Sequence, residues 1–252
     1  MRCCLTGLAL LPFLSLSVNA APALDGGVSE AEAVLDRAIK ACGGQEKIAK
    51  LQVVVKATST ITLPRGAASR SIEYQISWQR PDRVRLEYSL GGAAKTNYVR
   101  VIDGDEAWMS LNGTVRELPK TPLSQNGPER GVEFAAELLT FKGKDYKLTA
   151  LGKVKIDDQT VVGVKVAREG VPEFTLYFDP DTNLLLKRVG TGPSPAVGGN
   201  DVEILYEDYK EAEKIKYASK VTIIRNGRKT EMNITEFKTV DKLEDSLFKK
   251  PE

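Results

Sequence analysis

The sequence contains no histidine among its 252 residues. Ser-His-Asp and Cys-His catalysis are therefore excluded, and so is the commonest zinc ligand. Carboxylate pairs are plentiful among the 34 Asp and Glu residues, but no pair stands out as a general acid and base. We predict a protein that is not an enzyme, with no catalytic residues, no metal and no cofactor. An enzyme built on lysines or carboxylates is the weakest alternative.

The chain also lacks a strong charge of either sign. Its formal net charge is +2, and basic and acidic residues are interspersed along the whole sequence. A nucleic-acid-binding protein would carry a basic stripe or patch. We therefore predict no nucleic-acid partner.

Long apolar runs are absent after the first twenty residues, and nothing later approaches the roughly 20 apolar residues of a membrane span. The beginning has Arg2, an apolar run over 5–18 and the small-residue site Val18-Asn19-Ala20. This order is typical of a secretory signal peptide. We predict that residues 1–20 are cleaved and that the exported chain is soluble.

Cysteine is scarce as well. Cys3 and Cys4 precede the apolar run, whereas a lipid-anchored bacterial protein would carry its cysteine at the cleavage point, so we predict no lipid anchor. Cys42 is then alone in the mature chain, which excludes an intrachain disulfide framework. We interpret Cys42 as a small packed residue beside a helix end.

Two segments have a helical pattern. Ser29-Glu-Ala-Glu32 has capping-box spacing, apolar residues recur at helical period up to Cys42, and Gly43-Gly44 ends the helix. Residues 129–139 predict a second, shorter apolar helix that could lie across one face of a sheet.

The rest of the chain alternates apolar and polar residues in short runs, as antiparallel strands do. The stretch Tyr74–Trp108 sets the pattern, with breaks at Arg80-Pro81, Gly91-Gly92 and Asp103-Gly104. Short connections favour an antiparallel meander. We count about ten or eleven strands and two main helices. Residues 21–252 therefore predict a single, mainly β (α+β) domain, a strongly curved antiparallel half-barrel with helices on its concave side.

One turn imitates a metal loop. Asp179-Pro180-Asp181-Thr182-Asn183 resembles the first half of a calcium-binding loop, but the glycine and the bidentate glutamate that follow in such loops are missing. We interpret it as a plain turn between strands.

Several motifs resemble the LolA/LolB-like family of periplasmic outer-membrane lipoprotein carriers. They are Trp78-Gln-Arg80-Pro81, the later Asp103-Gly104-Asp-Glu-Ala-Trp108, Phe174-Thr-Leu-Tyr-Phe-Asp179-Pro180 and the closing Asp245-Ser-Leu-Phe248. Each motif alone is weak, and their order and spacing carry the resemblance. It covers most of the mature chain.

The resemblance implies an incomplete antiparallel barrel with helices at its mouth, and acyl chains bound between sheet and helices. It maps one functional residue, Arg80, whose counterpart holds the helical lid closed and yields to cargo. Alternatively, Arg80 is a solvated or ion-paired residue beside a strand-breaking proline. The large aromatic residues of the same stretch are either core residues or part of the lining of the lipid cavity; these are Trp78, Tyr88, Tyr98 and Trp108.

The functional hypothesis is thus a soluble, monomeric periplasmic carrier of lipoprotein acyl chains or other lipid, served by membrane-bound donor and acceptor proteins. The alternative is a non-enzymatic envelope sensor or interaction module on the same scaffold. Retained lipid would favour the first hypothesis, and a stoichiometric protein partner the second.

Overall fold

The computed structural model describes residues 29–61, 70–80, 82–90, 96–118, 130–192, 200–225 and 227–252. The predicted signal peptide, including Cys3 and Cys4, lies outside the described residues, as do Pro81 and the Gly91-Gly92 break.

In the described part of the chain, thirteen strands form one sheet in which every pairing is antiparallel. They are β1 Gln52–Ile61, β2 Arg70–Gln79, β3 Arg83–Leu90, β4 Thr96–Asp103, β5 Glu106–Leu111, β6 Thr114–Glu117, β7 Tyr146–Ile156, β8 Gln159–Arg168, β9 Val171–Phe178, β10 Leu185–Gly192, β11 Asn200–Ala212, β12 Ile215–Arg225 and β13 Arg228–Thr239. The order is β6-β5-β4-β3-β2-β1-β13-β12-β11-β10-β9-β8-β7, and the sheet is open.

The mainly β, antiparallel class is confirmed, but the predicted number of ten or eleven strands was too low. Strands β5 and β6 have only six and four residues, and they follow tight turns at Gly104 and at Asn112-Gly113. Strands of four to six residues carry only two or three apolar-polar alternations, so a count from alternation underestimates them even though the sequence marks both turns.

One face of the sheet packs against the helices and forms the main core; we call it the inner face. On β1 the inner residues are Val53, Val55 and Ala57, and the cross-strand register extends each of them into a row that reaches β5. The opposite, outer face carries a second apolar cluster.

Helix α1 spans Glu30–Ala41 and begins at the predicted capping box. The Ser29 amide donates to Glu32 Oε2 at 2.9 Å, and the Glu32 amide donates to Ser29 Oγ at 3.2 Å. These two bonds satisfy amides that a helix end leaves without helical partners. The apolar stripe then buries Val34, Leu35 and Ile39 in the core.

The end of α1 is fixed to the β11–β12 turn. The Lys216 amide donates to the Cys42 carbonyl oxygen at 3.1 Å. Gly43 has φ +130°, and a Cβ there would lie 2.6 Å from the Lys214 carbonyl oxygen, so only glycine allows this approach. Cys42 is fully buried, as predicted, and burial raises the pKa of its thiol to about 12.

Two further helices of the described residues lie in the same inner layer. Helix α2 spans Gln45–Ala49, and α3 spans Arg130–Phe141 and contacts α1, α2 and β12. Leu138 and Phe141 of α3 are buried, and Lys142, just after α3, forms an ion pair with Asp36 of α1. The second predicted helix is therefore present and lies on the inner face.

The chain ends on the outer face in a 3₁₀ helix, Asp245–Phe248, which contacts β3 and β4. Phe248 is fully buried with Val101 and Leu243. Arg83 lies 4.7 Å from the Phe248 ring centroid and pairs with Asp245 at 2.7 Å. The closing motif thus anchors the tail to the outer face.

Within the described ranges, no helix combines the length and the apolar character that a membrane span requires.

Candidate functional site

The candidate site is the part of the inner face that lies on strands β2–β6. The row that begins at Ala57 continues through Tyr74, Tyr88 and Tyr98 to Leu111, and we call it the tyrosine row. Exposure rises along it: Tyr74 is 8% exposed, Tyr88 and Tyr98 are half-buried, and Leu111 is 45% exposed. Among the described residues, this end of the inner face is accessible, aromatic and apolar.

The rings of the three tyrosines form a continuous series of contacts. The rings of Tyr88 and Tyr98 are nearly parallel, with centroids 4.5 Å apart, and Tyr74 meets Tyr88 at 5.1 Å and 57°. Burial, followed by the neighbouring tyrosines, raises the pKa of Tyr88 to about 12. Its hydroxyl therefore stays protonated at neutral pH.

The next row starts at Val55 and Ile76 and passes through Leu86, Arg100 and Met109 to Arg116; we call it the arginine row. Its first members are buried, whereas Arg100 and Met109 are half-buried and Arg116 is exposed. This row brings positive charge onto the accessible half of the inner face.

Trp78 lies in the third row, between Val53 and Val84, and is 3% exposed. It is part of the core, four residues along β2 from Tyr74, or roughly 13 Å at 3.3 Å per residue. Arg80 is half-buried in the turn after β2, farther from the tyrosine row, and burial lowers the pKa of its guanidinium. Trp78 and Arg80 therefore lie together at the C-terminal end of β2, apart from the tyrosine row.

Trp108 lies on the other side of the sheet. It pairs with Val101, an outer-face residue, and packs in the cluster that holds Leu243 and Phe248. The sequence-predicted group is thus divided: Tyr88 and Tyr98 stack together, whereas Trp108 faces away from them.

A cavity of about 1030 Å³ lies against β1–β4 and the bulge at Thr235. Most of its lining residues occupy outer-face positions and are polar or charged, including Lys56, Glu73 and Glu87, although the three tyrosines of the tyrosine row also line it. An acyl chain bound there would have to displace water from these polar groups. The accessible inner face is the better candidate for an apolar ligand.

The other half of the inner face holds a buried ion pair between sheet and helix. Arg188 on β10 donates to Glu137 of α3 at 3.0 Å, and the two side chains are 10% and 11% exposed. The Arg188 guanidinium also lies 3.9 Å from the centroid of the Phe174 ring and 6.0 Å from that of Phe141. This contact connects α3 to the sheet.

Sequence reasoning missed Arg100, Arg188 and Glu137. The alternation of β4 places Arg100 on the same face as Tyr98, so the sequence pattern could have included Arg100 in the candidate site. No sequence pattern pointed to Arg188 and Glu137, because 51 residues separate them and the sequence does not show that α3 lies within reach of β10.

The carboxylate of Asp179 stabilises the turn between β9 and β10. Asp179 Oδ1 accepts from the amides of Thr182 at 2.7 Å and Asp181 at 3.0 Å. The hydrogen bond from the Thr182 amide is the main reason that the pKa of the Asp179 carboxyl is lowered. These bonds confirm the interpretation as an inter-strand turn. Elsewhere in the described residues, no three Cys, Asp or Glu side chains group around a common point that could hold a metal.

Comparison with known proteins finds no matching family model and no matching curated protein. Solved structures do match. A LolA superfamily protein from Nitrosomonas europaea is 13% identical, with a TM-score of 0.65 over 88% of this chain and 99% of that chain. A putative outer membrane lipoprotein-sorting protein domain from Vibrio parahaemolyticus is 18% identical, with a TM-score of 0.59 over 86% and 97%.

A DUF1329 family protein from Desulfovibrio piger is 13% identical, with a TM-score of 0.57 over 88% of this chain and 98% of that chain. The chain therefore has a LolA-like fold, as the sequence motifs implied. At these identities the likeness is one of fold.

Proposed function

We propose that this protein is a periplasmic carrier that binds lipoprotein acyl chains or other lipid against its inner face. The observation that carries the proposal is the rise in exposure along the tyrosine row, from buried Ala57 to accessible Leu111. A core face that becomes accessible at one end offers an apolar surface to a ligand. The LolA-like fold supports the same use.

The energetics favour an acyl chain. Each buried CH₂ contributes about 0.8 kcal/mol, so a long chain gains on the order of 10 kcal/mol when it leaves water. Tyr98, Met109 and Leu111 provide aromatic and aliphatic contacts without any need for a catalytic group. A non-enzymatic carrier is consistent with a sequence that has no histidine.

In this proposal the open sheet curves as a half-barrel around α1 and α3, and residues 21–252 act as one domain. The signal peptide predicted at residues 1–20 exports the chain, which works as a soluble monomer. Membrane-bound donor and acceptor proteins would load and unload it.

The first experiment uses the two large apolar residues that are most exposed among the described residues. Leu111 is 45% exposed on the inner face, and Leu151 is 40% exposed and lies over Gly163 on β8, at an outer-face position. We expect Leu111→Glu to weaken binding of a hydrophobic fluorescent dye about tenfold, because the charge is costly to bury beneath an apolar ligand. Leu151→Glu should leave binding unchanged.

Mass spectrometry of the protein purified from its periplasm should also detect retained acyl lipid. The proposal fails if no lipid is retained and no dye binds, or if both leucine variants bind equally. A stoichiometric protein partner recovered without lipid would instead support the sensor or interaction module.

Arg80 provides a second prediction. If it holds the helices closed, as the resemblance implies, its contacts compete with bound lipid, and Arg80→Leu should slow release of the dye several-fold. Stopped-flow displacement by excess unlabelled lipid measures the rate. The matched control is Arg228→Leu, since Arg228 is exposed at the start of β13. An unchanged release rate, with a lower free energy of unfolding, would leave Arg80 a structural residue.

A further inference from the structure

We propose that the inner face selects lipids with an anionic head group, a carboxylate or a phosphate, which Arg100 binds. This inference rests on the proposed function and specifies its ligand class. It comes from the distribution of charge between the two faces of β2–β6.

The acidic residues of these five strands are all on the outer face. By the cross-strand register, outer positions hold every Asp and Glu in β2–β6, namely Glu73, Glu87, Asp103, Glu106 and Glu117. The inner positions of the same strands hold Arg100 and Arg116 in one row. The accessible part of the inner face is therefore positive and apolar.

Arg100 is placed to hold a head group while the chain stays on apolar surface. It lies between Leu86 and Met109 in register, and Tyr98 precedes it by two residues on the same face. A guanidinium presents paired donors that match a carboxylate or a phosphate. A charge-assisted hydrogen bond from a guanidinium to an anion is also about twice as strong as one between neutral groups.

Arg100 already interacts within the protein. A bound head group would therefore share the guanidinium with that partner or replace it. Five N–H donors allow a guanidinium to serve two acceptors at once.

The phenols of the tyrosine row provide neutral donors nearby. Tyr98 and Tyr88 are adjacent in register, one row from Arg100, or roughly 7 Å along the strand. Because the pKa of Tyr88 is raised to about 12, its hydroxyl can donate to an anion over the physiological pH range. Arg116 adds a second positive charge at the exposed end of the arginine row, where an anionic ligand would approach the inner face.

The experiment compares three ligands with the same sixteen-carbon chain: palmitate, hexadecyl phosphate and hexadecanol. Displacement of a hydrophobic dye from the full mature chain gives each affinity. We expect at least one of the two anions to bind about tenfold or more tightly than the alcohol, which is the usual effect of a hydrogen bond to a charged group. The ratio between the two anions distinguishes a fatty acid from a phospholipid head group.

Arg100→Gln should abolish the preference for the anions while the affinity for hexadecanol is kept, and Arg100→Lys should retain part of it. The control Arg228→Gln should keep the full preference. If Arg100→Gln does not fold, the decision rests on Arg100→Lys and on the wild-type ratio, which should shrink as salt is raised.

Equal affinity of the wild-type protein for the anions and the alcohol overturns the head-group inference and leaves the proposed function intact. Binding of none of the three ligands overturns both. A preference for anions that survives in Arg100→Gln assigns it to another residue and contradicts the role of Arg100.

Discussion

Replacing Glu137 with leucine is expected to lower the free energy of unfolding by about 3 to 5 kcal/mol. Arg188, its partner, is fixed between the Phe174 ring and α3 and is only 10% exposed. Removing one member of a buried pair leaves an uncompensated charge out of reach of water, and breaking such pairs costs about this much. The effect is large because the remaining guanidinium cannot be neutralised.

Urea denaturation followed by circular dichroism measures this change. The double variant Glu137→Leu with Arg188→Met should recover most of the loss, since well-packed apolar residues can replace a buried ion pair at little cost. The matched control is Glu46→Leu, which breaks the Lys50–Glu46 pair, whose side chains are 78% and 87% exposed. Exposed pairs contribute about 0 to 1 kcal/mol.

A loss below about 1 kcal/mol in Glu137→Leu, or a double variant no more stable than the single one, would contradict this account of the pair. If the free energy of unfolding falls by the expected amount, the Arg188–Glu137 pair is one of the main contacts that hold α3 on the sheet. The position of α3 limits the space beside the inner face. The same variants should therefore be tested for dye release.

Replacing Phe248 with alanine is expected to cost about 3 to 5 kcal/mol, the usual range for a buried phenylalanine. Phe248 is fully buried against Val101, and Arg83 stacks over its ring at 4.7 Å. Arg85 also donates to the Leu247 carbonyl oxygen at 3.1 Å. Loss of the ring would leave the 3₁₀ helix attached mainly by these arginine contacts.

The measurement is again the free energy of unfolding, with Lys249→Ala, an exposed neighbour in the same tail, as the control. Dye affinity provides a second readout. Because Phe248 is on the outer face, the folded variant should bind the dye as the wild type does. Weaker binding without a loss of stability would show that the outer cluster takes part in the ligand site.

The sequence determined the local elements by itself. The Ser29–Glu32 capping box predicted the start of α1, and Gly43 marked its end. Alternating residues predicted antiparallel strands, and the Asp103-Gly104 and Asn112-Gly113 turns lie where the sequence indicated them. These features depend on residues within a few positions of each other, so a short stretch of sequence is enough to predict them.

The composition of the candidate site could be predicted in part. Period-two alternation places Tyr98 and Arg100 on one face of β4 and Val101 on the other. It does not reveal which face packs against helices, nor which strands are neighbours. The sequence therefore grouped Trp108 with Tyr88 and Tyr98, although the structure separates them by the thickness of the sheet.

Only the tertiary structure decided the long-range relations. Strand β1 pairs with β13, whose residues lie 169 to 186 positions away, α3 approaches β10 closely enough for Glu137 to bind Arg188, and the tail returns to β3. Each of these elements could pack equally well against many other strands or helices. Their choice depends on the packing of the whole core, which no local pattern of residues encodes.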